Sequence, residues 1–141
     1  MKYFDTSVII LSILNDYRRE KALRELRSGG ITSDLGLIEL VSYLSRNLNG
    51  SPLPYAIKIL SQFNISVRSL FSYANTPLGN ILEVFYNGIK LAETVKLKTL
   101  DLLHVSYAIL LGVNELITAD KEFIKAENLL NERGIILKII E

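Results

Sequence analysis

The sequence predicts an α/β fold: a central, mostly parallel sheet of about five short strands flanked by helices. Short apolar runs typical of buried strands alternate with longer amphipathic segments typical of helices along the whole chain. Parallel strands need long crossover connections, which are usually helical, so this alternation favours a parallel sheet. The 141 residues are close to the commonest size of one domain and contain no internal repeat, which predicts a single domain over residues 1–141.

The predicted strands are apolar runs bounded by polar or turn-forming residues. The first is Tyr3-Phe4, and the polar residues from Asp5 to Ser7 separate it from a short helix that begins directly afterwards. The last is an aliphatic run near residue 141. The five strands are expected at residues 3–4, 31–32, 65–67, 115–118 and 135–140.

Longer helices are expected between the first three strands. An amphipathic pattern predicts a helix over residues 16–27 with a basic outer face. Ser33 or Asp34 is suited to cap a helix that carries Glu39. Pro54 is suited to open the next helix, because its fixed φ angle is compatible with the first helical turn.

Three more helices are expected in the second half of the chain. Asn75-Thr76-Pro77 would introduce one long helix over residues 78–95. Thr99 is expected to cap another helix that runs to Gly112, since glycine commonly ends a helix. A last helix is expected over residues 121–132, before the terminal strand.

The composition is that of a folded protein with little overall charge. Hydrophobic residues make up 49% and charged residues 22%, a balance that supports a packed core. The formal net charge is +1, so any binding of nucleic acid must depend on a local group of positive charges. One local group of cations lies in the helix over residues 16–27, where it either contacts a nucleic-acid backbone or forms a solvated face. Its members are Arg18, Arg19, Lys21, Arg24 and Arg27.

Two absences bear on location and on metal chemistry. No apolar stretch approaches the roughly 20 residues that span a bilayer, and Asp5 lies where a signal peptide needs an apolar core. A cytoplasmic protein without membrane association is therefore expected. The chain has no cysteine and one histidine, His104, so a bound metal would have oxygen or imidazole ligands.

Four acidic residues far apart in sequence are expected to meet at one edge of the sheet. Asp5 and Asp120 each follow a predicted strand, and the carboxyl ends of parallel strands share an edge. Glu39 and Asp101 lie near the starts of helices facing that edge, where a helix dipole favours an anion. Four converging carboxylates would repel one another unless a cation neutralised them.

This acidic group predicts a site for Mg²⁺ or Mn²⁺, since both cations prefer oxygen ligands. Such ions can activate water and stabilise the leaving oxygen during hydrolysis of a phosphodiester. Thr6, Ser7 and Thr118 neighbour the acids and are expected to hydrogen-bond the carboxylates or bound water. His104 lies three residues after Asp101 on the same helix face, so it is either a hydrogen-bond partner of the site or a packing residue.

Four blocks of the sequence resemble the motifs of PIN domains. They are Tyr3-Phe4-Asp5-Thr6-Ser7, Thr32-Ser33-Asp34 leading to Glu39, Leu97-Lys98-Thr99-Leu100-Asp101-Leu102-Leu103-His104, and Ile117-Thr118-Ala119-Asp120-Lys121-Glu122-Phe123. The resemblance covers essentially the whole chain and is closest to stand-alone toxins of the VapC type. One departure is the pair Leu102 and Leu103 after Asp101, where the family usually has a small residue, and it bears on helix packing.

The resemblance implies a three-layer PIN-like fold and a Mg²⁺- or Mn²⁺-dependent endoribonuclease. The family's acidic residues correspond to Asp5, Glu39, Asp101 and Asp120, none of which is replaced. RNA as the substrate and a homodimer are implied as well. For the toxin of a type II toxin-antitoxin pair, a small antitoxin protein is the expected partner.

Other functions remain open at this point. A stand-alone PIN nuclease of RNA processing or decay would carry the same residues, and a non-catalytic module could use the fold to bind RNA or protein. A nucleotide hydrolase is disfavoured because Asp5-Thr6-Ser7-Val8 follows the first strand in place of a glycine-rich phosphate loop. A phosphoacceptor receiver domain is disfavoured because no aspartate follows the third strand.

Overall fold

A computed structural model describes all 141 residues, which form seven strands and seven α-helices. The strands are β1 (Lys2–Phe4), β2 (Gly30–Ser33), β3 (Ile65–Arg68), β4 (Tyr73–Thr76), β5 (Gly79–Leu82), β6 (Glu115–Thr118) and β7 (Ile136–Ile139). The α-helices are α1 (Thr6–Leu11), α2 (Arg19–Leu26), α3 (Asp34–Asn47), α4 (Pro52–Gln62), α5 (Glu83–Ala92), α6 (Thr99–Leu110) and α7 (Glu127–Glu132). None of these helices is both long and apolar enough to cross a bilayer.

Five of the strands form a parallel sheet in the order β3-β2-β1-β6-β7, which confirms the predicted sheet. The chain builds outward from β1 through β2 to β3, then returns to the other side of β1 with β6 and β7. The winding direction therefore changes between β1 and β6. Open α/β sheets bind their ligands at such a switch point, beyond the carboxyl ends of the strands.

Helices cover both faces of the sheet because neighbouring residues of a strand point in opposite directions. Tyr3 of β1 belongs to a cluster of 16 buried residues that includes side chains of α5, α6 and α7. Phe4 belongs to a second cluster of 14 buried residues with side chains of α1 to α4. Leu116 and Ile117 of β6 divide between the two clusters in the same way. The expected three-layer α/β architecture is thereby confirmed.

One long stretch of the second half folds differently from the prediction. The sequence pattern predicts a single helix over residues 78–95, but β4 and β5 form an antiparallel hairpin and α5 begins only at Glu83. The side chain of Thr76 closes the hairpin turn, because its hydroxyl donates to the carbonyl of Gly79 at 2.7 Å and accepts from the N–H of Leu78 at 3.1 Å. Gly79 has a φ of 112°, which lies far from a helical value.

Three predicted helix starts can be compared with the structure. Ser33 caps α3 as expected, since its hydroxyl accepts a hydrogen bond from the N–H of Gly36 at 3.1 Å. Thr99 is the first residue of α6 and not its cap, because the residue before it already has the extended backbone of a cap position. Helix α4 begins at Pro52, two residues earlier than the predicted start at Pro54.

Two further predicted helices are shorter or divided. The segment over residues 16–27 becomes helical only at Arg19, because the carboxylate of Asp16 accepts from the N–H of Arg18 at 2.8 Å and holds a turn there. The segment over residues 121–132 consists of a 3₁₀ helix (Lys121–Ala126) followed by α7.

Candidate active site

Asp5 and Asp120 lie on either side of the switch point in the sheet. Asp5 follows β1 and Asp120 comes two residues after β6, and these two strands pair directly, with Phe4 opposite Ile117. The pairing continues one residue further, because the N–H of Asp5 donates to the carbonyl of Ile117 at 2.9 Å. The sheet itself therefore fixes where both carboxylates emerge.

Glu39 and Asp101 reach the same place from helices. Glu39 lies in the second turn of α3, whose first turn Ser33 fixes by capping. Asp101 lies in the first turn of α6, where the partial positive charge of the helix N-terminus favours a carboxylate. The two helices pack on opposite faces of the sheet, so the site forms where all three layers meet.

All four predicted acids line one cavity of about 480 Å³. Asp5 is almost fully buried, at 6% exposed, whereas the other three acids are partly accessible to solvent. Apolar side chains and residues along one side of α3 form the rest of the cavity lining. These further lining residues are Thr6, Ser7, Ile10, Leu35, Ile38, Ser42, Tyr43, Arg46 and Leu100.

Two hydroxyl groups hold the carboxylate of Asp5 in one orientation. The hydroxyls of Ser7 and Thr118 donate to its Oδ2 at 2.6 and 2.7 Å. Ser7 Oγ in turn accepts from the N–H of Ala119 at 2.9 Å, and Thr118 Oγ1 accepts from the N–H of Asp120 at 3.0 Å. Because the backbone around β6 orients both hydroxyls, Asp5 is fixed relative to the start of the Asp120 loop.

Glu39 is held by two side chains from other elements. The hydroxyl of Thr6 donates to its Oε1 at 2.8 Å, and the Nε2 of His104 forms a hydrogen bond with the same oxygen. The same Nε2 lies 3.3 Å from Oδ1 of Asp5. His104 is completely buried, so it is a packing residue of the core and also contacts two of the acids.

Burial and charge shift the pKa values of the ionisable groups in opposite directions. Burial, followed by the neighbouring charges of Asp120 and Asp5, raises the pKa of Asp101 from 3.8 to about 6. Burial alone would lower the pKa of His104, but its hydrogen bond to Glu39 and the charges of Asp5 and Glu39 outweigh burial and raise it. Burial alone would raise the pKa of Glu39, but the hydrogen bond and the charge of His104, together with the hydrogen bond from Thr6, outweigh burial, so that pKa lies below its ordinary value.

The donor set fits a divalent cation. Ligand atoms of Asp5, Glu39 and His104 all lie within 4.8 Å of one another, and Asp101 and Asp120 line the same cavity. Carboxylate oxygens with at most one imidazole are the ligands that Mg²⁺ and Mn²⁺ accept. The charge of His104 acts to lower the pKa of Asp101, but burial and the charges of Asp120 and Asp5 outweigh it, so positive charge from a cation would be favourable there.

Two residues at the site were not singled out from the sequence. Tyr3 lies on the same side of β1 as Asp5, two residues away, and its hydroxyl is 2.7 Å from Nδ1 of His104. Arg46 lines the cavity two helical turns after Glu39. Strand and helix periodicity could have pointed to these positions, but the periodicity does not say which side chain faces the cavity.

The chain belongs to the PIN domain family. The family model matches residues 2–129, which is most of the chain. Proteins of this family are generally nucleases, and its domains typically bind a divalent metal. The sequence expectation of a PIN-like chain is confirmed. Comparison with curated protein sequences gives no significant match.

Two solved structures share the fold at low sequence identity. A toxin-antitoxin complex from Klebsiella pneumoniae contains a chain that is 18% identical, with a TM-score of 0.67 and 96% of each chain covered. The structure of VapBC2 from Rickettsia felis, bound to a DNA fragment from the promoter, contains a chain that is 16% identical, with a TM-score of 0.65 and 100% of each chain covered. At these identities the likeness shows a shared fold.

Proposed function

We propose that this protein is a metal-dependent endoribonuclease in which residues 1–141 act as one PIN domain. The observation that carries the proposal is the convergence of four carboxylates, from four separate elements, on one cavity at the switch point of the sheet. Like charges face one another there, since burial, followed by the charges of Asp120 and Asp5, raises the pKa of Asp101.

Asp5, Glu39, Asp101 and Asp120 are the proposed metal-holding and catalytic residues, with Mg²⁺ or Mn²⁺ as the cation. When bound, such an ion supplies positive charge that polarises water and stabilises the charge that develops on a phosphodiester. Asp5 would be held in one orientation, because two hydroxyls donate to its Oδ2. The positive charge of the cation would favour the ionised form of Asp101, whose pKa burial and the charges of Asp120 and Asp5 raise to about 6.

Four neighbouring side chains would support the acids without reacting themselves. Ser7 and Thr118 fix Asp5, while Thr6 and His104 fix Glu39. Partners of this kind set the orientation of a ligand and commonly matter nearly as much as the ligand.

RNA is the proposed substrate, and cations on both sides of the acids support it. Arg46 lines the acidic cavity, and Arg18 and Lys121 line the adjoining cavity that shares Ser7 and Asp120. A nucleic-acid backbone laid across the acids would meet positive charge at either end. Of the basic group on the segment over residues 16–27, Arg18 is the member that borders the acids, since its Nη1 donates to the carbonyl of Ala119 at 3.3 Å.

The cellular role we propose is that of the toxin in a type II toxin-antitoxin pair, acting in the cytoplasm as a homodimer with a small antitoxin protein as partner. Support comes from the fold shared with a chain of the Klebsiella pneumoniae toxin-antitoxin complex and a chain of VapBC2 from Rickettsia felis.

The test is cleavage of a mixed RNA pool by purified protein with Mg²⁺, with Mn²⁺ and with chelator. Asp101→Asn is the test variant, and Asp34→Asn is the matched control, because Asp34 begins the α3 helix and does not line the acidic cavity. We expect metal-dependent cleavage by the wild type and the control, and its loss in Asp101→Asn. Equal cleavage by all three proteins in chelator would exclude the four-acid site, and metal-independent RNA binding without cleavage would indicate a binding module.

A further inference from the structure

We propose that Tyr3 is a positioning residue of the acidic site, whose buried hydroxyl fixes the ring of His104 and through it the separation of Glu39 and Asp5. The inference rests on the proposed metal-dependent function and adds to it a residue that never touches metal or RNA. Tyr3 is a positioning residue and not a catalytic one, because its hydroxyl lies behind the imidazole and the ring of His104 separates it from the acids.

The hydroxyl of Tyr3 lies at a junction of three elements. Tyr3 is completely buried in β1, and its Oη is 2.7 Å from Nδ1 of His104 on α6 and 2.7 Å from Oγ of Ser33 at the end of β2. Ser33 Oγ also accepts from the N–H of Gly36 and so caps α3. One hydroxyl therefore ties the first turn of α3 to the imidazole on the opposite face of the sheet.

The imidazole of His104 is held at both nitrogens. Tyr3 contacts Nδ1, and Nε2 lies against Oε1 of Glu39 and 3.3 Å from Oδ1 of Asp5. The ring of Tyr3 also packs against the imidazole at an angle of 66°, with the centroids 5.7 Å apart. Because a buried polar atom without a partner is costly, loss of the Tyr3 hydroxyl would leave Nδ1 unsatisfied and favour another ring orientation.

The imidazole is the contact that the two acids share. Glu39 belongs to α3, whereas Asp5 follows β1, so these carboxylates approach each other from different layers. Small displacements of oxygen ligands weaken a metal site strongly, so the distance between these two carboxylates must be fixed. Tyr3 helps to fix this distance because its hydroxyl contacts Nδ1 of His104, the ring nitrogen that faces away from the two acids.

Tyr107 provides the matched control for removing a hydroxyl. It also lies on α6, and its hydroxyl donates to Oδ1 of Asp34, at the start of α3, at 2.5 Å. Neither Tyr107 nor Asp34 lines the acidic cavity. Tyr107→Phe thus removes a comparable hydrogen bond between the same two helices without touching the imidazole.

Mn²⁺ affinity measured by calorimetry tests the proposal without reference to RNA. We expect Tyr3→Phe to weaken Mn²⁺ binding about 10-fold and Tyr107→Phe to leave it unchanged, the first figure being the lower end of what partners of metal ligands commonly contribute. In a His104→Gln background, Tyr3→Phe should have no further effect on affinity, because the pathway from the hydroxyl to the acids is already broken. Additive losses in the double variant would overturn the proposal.

A second measurement uses the fact that His104 is the only histidine in the chain. The nitrogen-15 spectrum of labelled protein contains one imidazole, and we expect its Nδ1 signal to move in Tyr3→Phe and to stay in place in Tyr107→Phe. Coincident spectra for Tyr3→Phe and wild type would overturn the proposed contact.

RNA cleavage separates this proposal from the proposed function. If the wild type cleaves RNA, Tyr3→Phe should lower kcat about 10-fold and leave KM for RNA unchanged. The residue acts on the metal site and not on the side chains that would bind the RNA backbone. Unchanged kcat would overturn the positioning role and leave the nuclease intact. A wild type that binds Mn²⁺ and cleaves no RNA would contradict the proposed function, and the Mn²⁺ measurements would still decide the role of Tyr3; a wild type that binds no Mn²⁺ would contradict both.

Discussion

Asp101 is the carboxylate whose charge the protein itself compensates least. His104 lies closest to Asp5 and Glu39, and its charge only partly offsets the effects of burial and of the charges of Asp120 and Asp5 on Asp101, so the pKa of Asp101 rises to about 6. A raised pKa means that the folded protein holds the proton more tightly than the unfolded chain does. Without metal, the ionised form of Asp101 therefore works against folding.

Replacing Asp101 should stabilise the metal-free protein. Below its ordinary pKa of 3.8 the group is protonated in both states, so its contribution to stability is fully present there and is lost as the pH rises through about 6. In chelator at neutral pH, Asp101→Asn should raise the free energy of unfolding by about 1 kcal/mol, a figure reduced for the partial exposure of the side chain. Thermal unfolding at pH 7 and pH 4 measures this, with a gain of about 3 °C expected at the higher pH only.

Added Mn²⁺ should reverse the order of stability. A ligand that binds the folded state alone raises its stability, so the wild type should gain more from Mn²⁺ than Asp101→Asn does. Asp34→Asn serves as the control and should follow the wild type in its response to metal. An Asp101→Asn protein that is no more stable than wild type in chelator at pH 7 would contradict the charge account.

The sequence carries enough information to group the acids but not their partners. Asp5 and Asp120 could be placed together because the carboxyl ends of parallel strands share one edge. The contact between Tyr3 and His104 could not, because it depends on how α6 crosses β1, and residue spacing does not define that crossing. Single hydrogen bonds between distant elements are set by packing, which the period of a pattern does not specify.

Among the elements, α3 carries Glu39 and begins in a tightly packed corner. Gly36 is buried in its first turn, and a methyl group there would lie well inside contact distance of Oγ1 of Thr32. The Thr32 hydroxyl cannot move aside without loss of a hydrogen bond, since it donates to the carbonyl of Phe4 at 2.9 Å. The start of α3 therefore approaches β2 as closely as it does only because residue 36 lacks a side chain.

Gly36→Ala should shift α3 and weaken the site. Overpacking a buried position costs about 1 to 3 kcal/mol, and displacement of the helix would move Glu39 away from His104 and Thr6. Urea unfolding measures the loss of stability, and Mn²⁺ affinity measures the displacement. Gly50→Ala is the control, because nothing lies within 4 Å of a methyl group there. Equal stability of the two variants would contradict this packing.

One carboxylate of helix α2 forms ion pairs with two strands of the sheet. Glu25 accepts from Lys2 of β1 at 2.8 Å and pairs with Lys138 of β7. Burial alone would raise the pKa of Glu25, but the hydrogen bonds from Lys138 and Lys2 outweigh it and lower the pKa. A lowered pKa gives stability that is present above the ordinary value of 4.5 and is lost as the pH falls through the folded-state value.

Glu25→Gln should destabilise the protein by up to about 1 kcal/mol at neutral pH, because one partner lysine is half exposed. The difference from wild type should shrink as the pH falls below 4.5, where protonation removes the charge of Glu25 in the wild type as well. Urea unfolding across this pH range is the measurement, and Glu20→Gln, exposed on the same helix, is the control. A difference that does not change with pH would exclude the ion pairs as its cause.

The hairpin of β4 and β5 shows where element prediction fails. Its strands form a separate two-stranded sheet and their residues are mostly exposed, so they lack the buried stripe that distinguishes a helix from a strand. The turn is determined by the Thr76 hydroxyl and the left-handed backbone of Gly79. These two features of the turn favour a hairpin, although the apolar pattern favours a helix over residues 78–95.

Across the whole molecule, topology is what makes the site possible. The order β3-β2-β1-β6-β7 brings the first and sixth strands of the chain side by side, and their ends deliver Asp5 and Asp120 to one crevice. The parallel sheet could be predicted because strands and helices alternate, and the two cores follow from the opposite directions of neighbouring side chains. Strand order beyond that required the structure, since alternation alone is compatible with several orders.

The most direct test of the central claim is the chemistry of the cleaved ends. Hydrolysis at a metal site of carboxylates uses water as the nucleophile, whereas acid-base catalysis by an imidazole would use the neighbouring ribose hydroxyl and leave a cyclic phosphate. We would therefore cleave RNA in isotope-labelled water with Mn²⁺ and analyse the products by mass spectrometry. The account predicts linear phosphate ends that carry the label, and no products in chelator. Cyclic phosphate ends formed equally well in chelator would contradict it.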